Sequence, residues 1–170
     1  MASNLQFIKS ASGSSVSSLS VTDCFSANYD VYEIVIRNFQ SSGNVDGNFR
    51  FLNSSNAEIT SSDYDFARLN LKSYTSFSDG RQTGQTSLQT GMFTVTSSDG
   101  TGEQIITVFN AFDSSSFSFL LIQGAGIRVG SGLDGYRNIG ILKSAQQCNG
   151  FSILPDSGTI SLQVSVYGVK

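Results

Sequence analysis

The chemistry open to this chain begins with its carboxylates, because the commonest catalytic side chain is missing. None of the 170 residues is a histidine. That removes the usual general base, the usual metal ligand and any Ser–His or Cys–His nucleophile pair. Asp63 and Asp65 stand two apart, a spacing that puts both on one face of a strand. Two acids held close together across a cleft can hydrolyse a glycoside. Asp79, Asp99 and Asp134 each precede a glycine, and Asp-Gly is ordinary turn chemistry, which is the stronger reading. No segment alternates oxygen ligands densely enough for a calcium loop. Cys24 and Cys148 lie too far apart in sequence to suggest a zinc site; one bridge between them would close a long loop, and the competing reading is two small buried thiols, since a secreted disulfide scaffold carries more cysteines in a shorter chain. No catalytic residue, metal ligand or cofactor site is expected, and the chain reads as non-enzymatic.

Recognition is the chemistry that remains. Tyr64, Tyr74, Phe77, Tyr136 and Tyr167 fall near turns or on polar strand faces. Aromatic rings stack on the apolar faces of sugars, and neighbouring amides and arginines bond the hydroxyls. The candidate glycan contacts are Tyr64, Tyr74, Phe77, Tyr136 and Arg128. The competing reading is that these rings fill a core or a protein interface. Gly124-Ala125-Gly126-Ile127-Arg128-Val129-Gly130 has a superficial likeness to a phosphate loop, but no helix follows it. The formal charge is −3 and no basic run exists, so nucleic acid lacks its electrostatic partner. The longest unbroken apolar run, Phe119-Leu120-Leu121-Ile122, is far short of a membrane span. Met1-Ala2-Ser3-Asn4-Leu5 opens no secretory signal.

The elements that must position these residues are strands. Hydrophobic residues make up 39% of the chain and charged ones 14%, with 13 Phe and 6 Tyr spread along its length. So many aromatics argue against disorder, and the polarity comes from Ser, Thr, Asn, Gln and Gly. No window holds apolar residues at helical spacing for three turns. Tyr32 to Arg37 alternates, with Tyr32, Ile34 and Ile36 facing the core. Asn48 to Asn53 places Phe49 and Phe51 on one face. In Thr159 to Val169, Ile160, Leu162, Val164 and Val166 alternate with polar residues. Further strands are expected at Leu5 to Ile8, Val16 to Val21, Phe66 to Leu71, Gly91 to Thr96 and Gln104 to Phe109. Others are expected at Phe117 to Ile122, Tyr136 to Lys143 and Gly150 to Leu154.

Turns fall at Ser41-Ser42-Gly43-Asn44, Asn53-Ser54-Ser55-Asn56, Ser78-Asp79-Gly80, Ser98-Asp99-Gly100 and Asp156-Ser157-Gly158. Ser73 to Gln85 and Gly124 to Gly135 lack apolar alternation, and the second is expected to be a mobile or closely approached loop. Roughly ten short antiparallel strands without helices predict a single all-β domain over residues 1–170, a jelly-roll-like β-sandwich.

Three of these strands carry a family resemblance. Tyr29-Asp30-Val31-Tyr32-Glu33-Ile34-Val35-Ile36 precedes a loop and then Asn48-Phe49-Arg50-Phe51-Leu52. The chain closes on Gly158-Thr159-Ile160-Ser161-Leu162-Gln163-Val164-Ser165-Val166-Tyr167-Gly168. This layout resembles small virion structural proteins and tail-fibre end domains of tailed bacteriophages, marine and cyanobacterial ones especially. The resemblance implies a jelly-roll-like module on a phage virion, assembled in the host cytoplasm. It carries no catalytic residues. It leaves two roles open: a capsid decoration, knob or short fibre, and a tail-fibre or baseplate adhesin binding host glycan. The implied partners are further copies of the chain, as a trimer, and other virion proteins. Apart from the resemblance, the N-terminal segment is expected to be held by a sheet or by a partner subunit, because free termini fray unless tied down.

Overall fold

The computed structural model describes residues 4–43, 45–91, 101–128 and 130–170. The strand expected beyond Gly91, the turn Ser98-Asp99-Gly100 and Asn44 lie outside the described residues. Twelve strands and no helix are present among those described. They are β1 (Leu5–Val16), β2 (Leu19–Val21), β3 (Val31–Ser41), β4 (Gly47–Asn53), β5 (Tyr64–Lys72), β6 (Ser78–Gln85), β7 (Leu88–Gln89), β8 (Gly102–Phe109), β9 (Ser118–Arg128), β10 (Gly132–Leu142), β11 (Cys148–Pro155) and β12 (Ile160–Val169).

The strands form two antiparallel sheets. The larger runs β1-β12-β3-β8-β9-β10-β5-β6 and the smaller β2-β11-β4-β7. Buried side chains of both sheets belong to one core cluster, an arrangement compatible with a sandwich. The strand orders bear out the all-β expectation and leave the jelly-roll connectivity unestablished.

The alternating strands behave as their pattern dictates. Tyr32, Ile34 and Ile36 of β3 are fully buried, as are Phe49 and Phe51 of β4. Ile160, Leu162, Val164 and Val166 of β12 complete the central core. Three phenylalanines pack together on the smaller sheet. There the Phe49 and Phe151 rings stack with centroids 5.3 Å apart, and Phe51 meets Phe49 edge-on at 5.0 Å. Stacked and edge-on pairs of this kind add stabilisation beyond the area they bury. At the N-terminus, β1 pairs with β12 from Leu5↔Val169 to Val16↔Ile160, so this segment is held by a sheet.

Three expectations need correction. Gly124 to Gly135 is not a loop: its residues up to Arg128 belong to β9 and those from Gly132 to β10, which pair residue for residue from Gly132↔Arg128 to Leu142↔Ser118. Ser73 to Gln85 contains β6, and Ser78-Asp79-Gly80 is its first part rather than a turn. Val16 to Val21 is not one strand, since β1 runs on to Val16 and β2 starts at Leu19. The turns at Asn53–Asn56 and Asp156–Gly158 form as expected. The Asn53 side-chain oxygen accepts from the Ser55 and Ala57 amides at 2.9 and 3.1 Å, and Gly158 takes the positive φ of 74° that favours glycine.

Candidate functional site

Two of the five candidate glycan contacts are structural. Tyr64 is 0% exposed. Its hydroxyl donates to the Ile59 carbonyl at 3.0 Å and accepts from the Phe51 amide at 3.1 Å. It thereby ties the β4 backbone to the segment ahead of β5. Tyr136 is 3% exposed, and its hydroxyl accepts from Gln104 Nε2 at 3.0 Å. Burial pushes both phenols well above their ordinary range. Neither ring reaches a surface where a sugar could stack.

The other three lie toward one end of the larger sheet. Tyr74 and Phe77 occupy the β5–β6 connection, and Arg128 closes β9. Tyr74 donates to both carboxylate oxygens of Asp134 at 3.1 Å, and Arg128 Nη1 stands 3.8 Å from the same carboxylate. Asp134 itself is fully buried. Phe77, in the same connection as Tyr74, is 63% exposed. The acids considered for glycoside hydrolysis are occupied differently. Asp65 bonds Lys143 at 2.9 Å, and the Asp63 carbonyl accepts from the Lys143 amide. Among the described residues no three His, Cys, Asp or Glu side chains converge as a metal site.

A broad apolar surface lies elsewhere on the larger sheet. Inward residues of β8, β9, β10 and β5 build the core, yet their outward residues are also apolar. Ile105, Phe119, Leu121, Ile139, Leu69 and Leu71 all stand exposed. The register makes them neighbours. Thr107, Leu121, Ile139 and Ala67 form one row across four strands, and Ile105, Gln123, Arg137 and Leu69 form the next. Ile127 and Leu133 extend the patch toward the β9–β10 end. The face is not flat. A hollow of about 770 Å³ lies between β9 and β6, lined by Phe119, Leu121, Ile139, Ile141, Ala67 and Arg81. A smaller one of about 190 Å³ lies beside Arg137, Gln123 and Ile105.

Composition points to hydroxyl- and amide-bearing faces, and so hides this surface. Its signal is nonetheless present in the sequence. A sheet with one wet face alternates apolar and polar residues, whereas Ile105-Ile106 and Phe119-Leu120-Leu121-Ile122 do not alternate. Such runs belong to strands covered on both sides.

Comparison with known proteins gives no further guide: no family model, no curated protein and no solved structure matches the chain.

Proposed function

We propose that this chain is a non-enzymatic structural protein of a bacteriophage particle, working by protein contact through the apolar outer face of its larger sheet. The observation that carries the contact role is that face. Single exposed leucines are ordinary, but an apolar surface spread across four paired strands and interrupted at its middle by Gln123 and Arg137 is the signature of an interaction site. The particle assignment draws on the resemblance of the Tyr29–Ile36, Asn48–Leu52 and Gly158–Gly168 segments to virion modules. A sequence without histidine, in which the carboxylate of Asp65 is ion-paired with Lys143, supports a role without catalysis.

The test is quantitative mass spectrometry of purified particles from a host carrying this gene. Hundreds of copies per particle support a capsid decoration. Absence from the particle overturns the reading.

One specific observation favours the adhesin reading as an alternative, the grouping of Tyr74, Phe77 and Arg128 toward one end of the sheet. It predicts a few copies per particle at the tail. It also predicts glycan-array binding that Phe77→Ala removes. An array without hits sinks it.

A further inference from the structure

We infer that the outer face of β8, β9, β10 and β5 pairs with the same face of a second copy of this chain, as a two-fold dimer. The inference rests on the reading of that face as the working surface and adds the identity of what covers it.

Area is the first reason. The eight exposed leucines, isoleucines and phenylalanine of this face are each 37% to 58% exposed. With a side chain of this size taken as roughly 150–200 Å², they present on the order of 650 Å² of apolar surface. The largest apolar patch of an ordinary monomer is about 300–600 Å². A stable pair buries about 800 Å² on each partner. The apolar part of this face thus approaches one side of a standard interface before its polar rim is added.

Charge is the second. A face built for a basic or acidic partner carries an excess of the opposite sign. Here the signs balance: Glu103 and Arg137, Asp79 and Arg81, and the bonded pair Asp65–Lys143. Arg137 projects from the apolar rows with no ion-pair partner among the described residues. Arginine in that position is a common anchor of interfaces, because its planar head tolerates partial desolvation when an acid meets it. A second copy supplies that acid from Glu103, whose Oε1 accepts from the Asn38 amide and the Thr101 hydroxyl but meets no cation among the described residues, or from Asp79 on the adjoining β6. A two-fold axis then satisfies both copies at once, because residue i meets j and j meets i.

Shape is the third. Sheets stack face to face at about 10 Å with interdigitating side chains. The face offers both parts of that fit, projections such as Ile139 and the hollows beside them.

The experiment is sedimentation velocity of the full chain from about 1 to 200 µM, a range that brackets weak and firm pairing, together with site-directed cross-linking. The expected species is a dimer. Ile139→Asp and Leu69→Asp each weaken it at least about ten-fold, equivalent to about 1.4 kcal/mol. Both positions are exposed in the single chain, so circular dichroism should be unchanged. Cys24 and Cys148 are buried, which leaves Ile139→Cys as the only accessible thiol in that variant. Mild oxidation then links two copies through it, whereas Ser55→Cys, exposed in the turn after β4 of the smaller sheet, stays unlinked.

A monomer at the highest concentration overturns the pairing, and so does a trimer, whose three-fold contact joins two different patches. Either result leaves the particle reading standing, because copy number on the particle is measured separately. Conversely, an intact dimer that is absent from particles upholds the pairing and overturns the particle reading.

Discussion

The hydroxyl of Tyr136 lies directly over Gly124 on the neighbouring strand. A β-carbon at Gly124 would fall 2.3 Å from that oxygen and 2.8 Å from the Glu103 carbonyl. The two residues are cross-strand partners in the β9–β10 hairpin, and Gln104 on β8 donates to the same hydroxyl at 3.0 Å and to the Thr90 carbonyl at 3.0 Å. Glycine is needed here for close approach, since its φ is ordinary. Gly124→Ala must either push the buried ring off its place or spread β8 from β9. The expected cost is about 1–3 kcal/mol, the usual range for overpacking a filled interior. Equilibrium urea unfolding measures it. Gly43→Ala, where an added β-carbon meets nothing within 4 Å, is the matched control and should stay close to wild type. Equal stability of the two variants would refute the packing role of Gly124.

Tyr64 makes the second prediction. Tyr64→Phe leaves the ring in place but strands the Ile59 carbonyl and the Phe51 amide, both served by the phenol. Buried polar groups left without a partner cost about 1–3 kcal/mol. The variant should therefore unfold earlier in denaturant, while any glycan binding stays unchanged because the ring never reaches the surface. Reduced glycan affinity at wild-type stability would restore Tyr64 to the surface role that its position in sequence suggests.

These two tyrosines mark the limit of what the sequence makes legible. Strands β3 and β12 are legible because one face of each is polar enough for alternation to show. The Asn53 turn is legible because its side chain caps its own backbone two and four residues on. The role of Tyr136 depends on Gly124, twelve residues earlier, and on Gln104 across another strand. Neither contact exists until the hairpin register is set. The glycine-rich stretch reads as a loop because small residues weaken strand propensity. In the fold, one of those glycines is what lets a large ring lie across the strand. The outer face is obscured in a similar way, since continuous apolar runs signal burial on two sides without naming the second cover.

The cysteines give a third prediction. Cys24 and Cys148 are buried and unpaired, and burial pushes both thiols up to about 12. The thiolate is the reactive form, so native protein at pH 8 should resist a disulfide reagent while guanidinium exposes two thiols per chain. The linkage sign follows from the raised value. Each group contributes stability that is present below its ordinary 9.0 and is lost as pH rises from there toward 12. Alkaline melts should show that decline, and Cys148→Ala should flatten part of it. Rapid native labelling at pH 8 would show that the thiols are open to solvent.

Acid should act through Asp65. Its carboxylate accepts from the Gly84 amide at 2.8 Å and bonds Lys143 at 2.9 Å, tying β5 to β6 on one side and to the end of β10 on the other. These bonds hold its carboxyl below the ordinary 3.8, the Gly84 amide contributing most and Lys143 next. A lowered value in the folded state means that the stabilisation is present above 3.8 and is lost as pH falls through the folded value. Melting temperature should therefore drop as pH is lowered through this acid range. Asp65→Asn removes the titrating charge and should flatten that drop while costing some stability at neutral pH. Lys143→Met removes only the smaller contribution and should keep most of the slope. If Asp65→Asn followed the wild-type slope, the Gly84 bond would not be what holds the carboxylate ionised, and the β5–β6 pairing would have to rest on its backbone ladder alone.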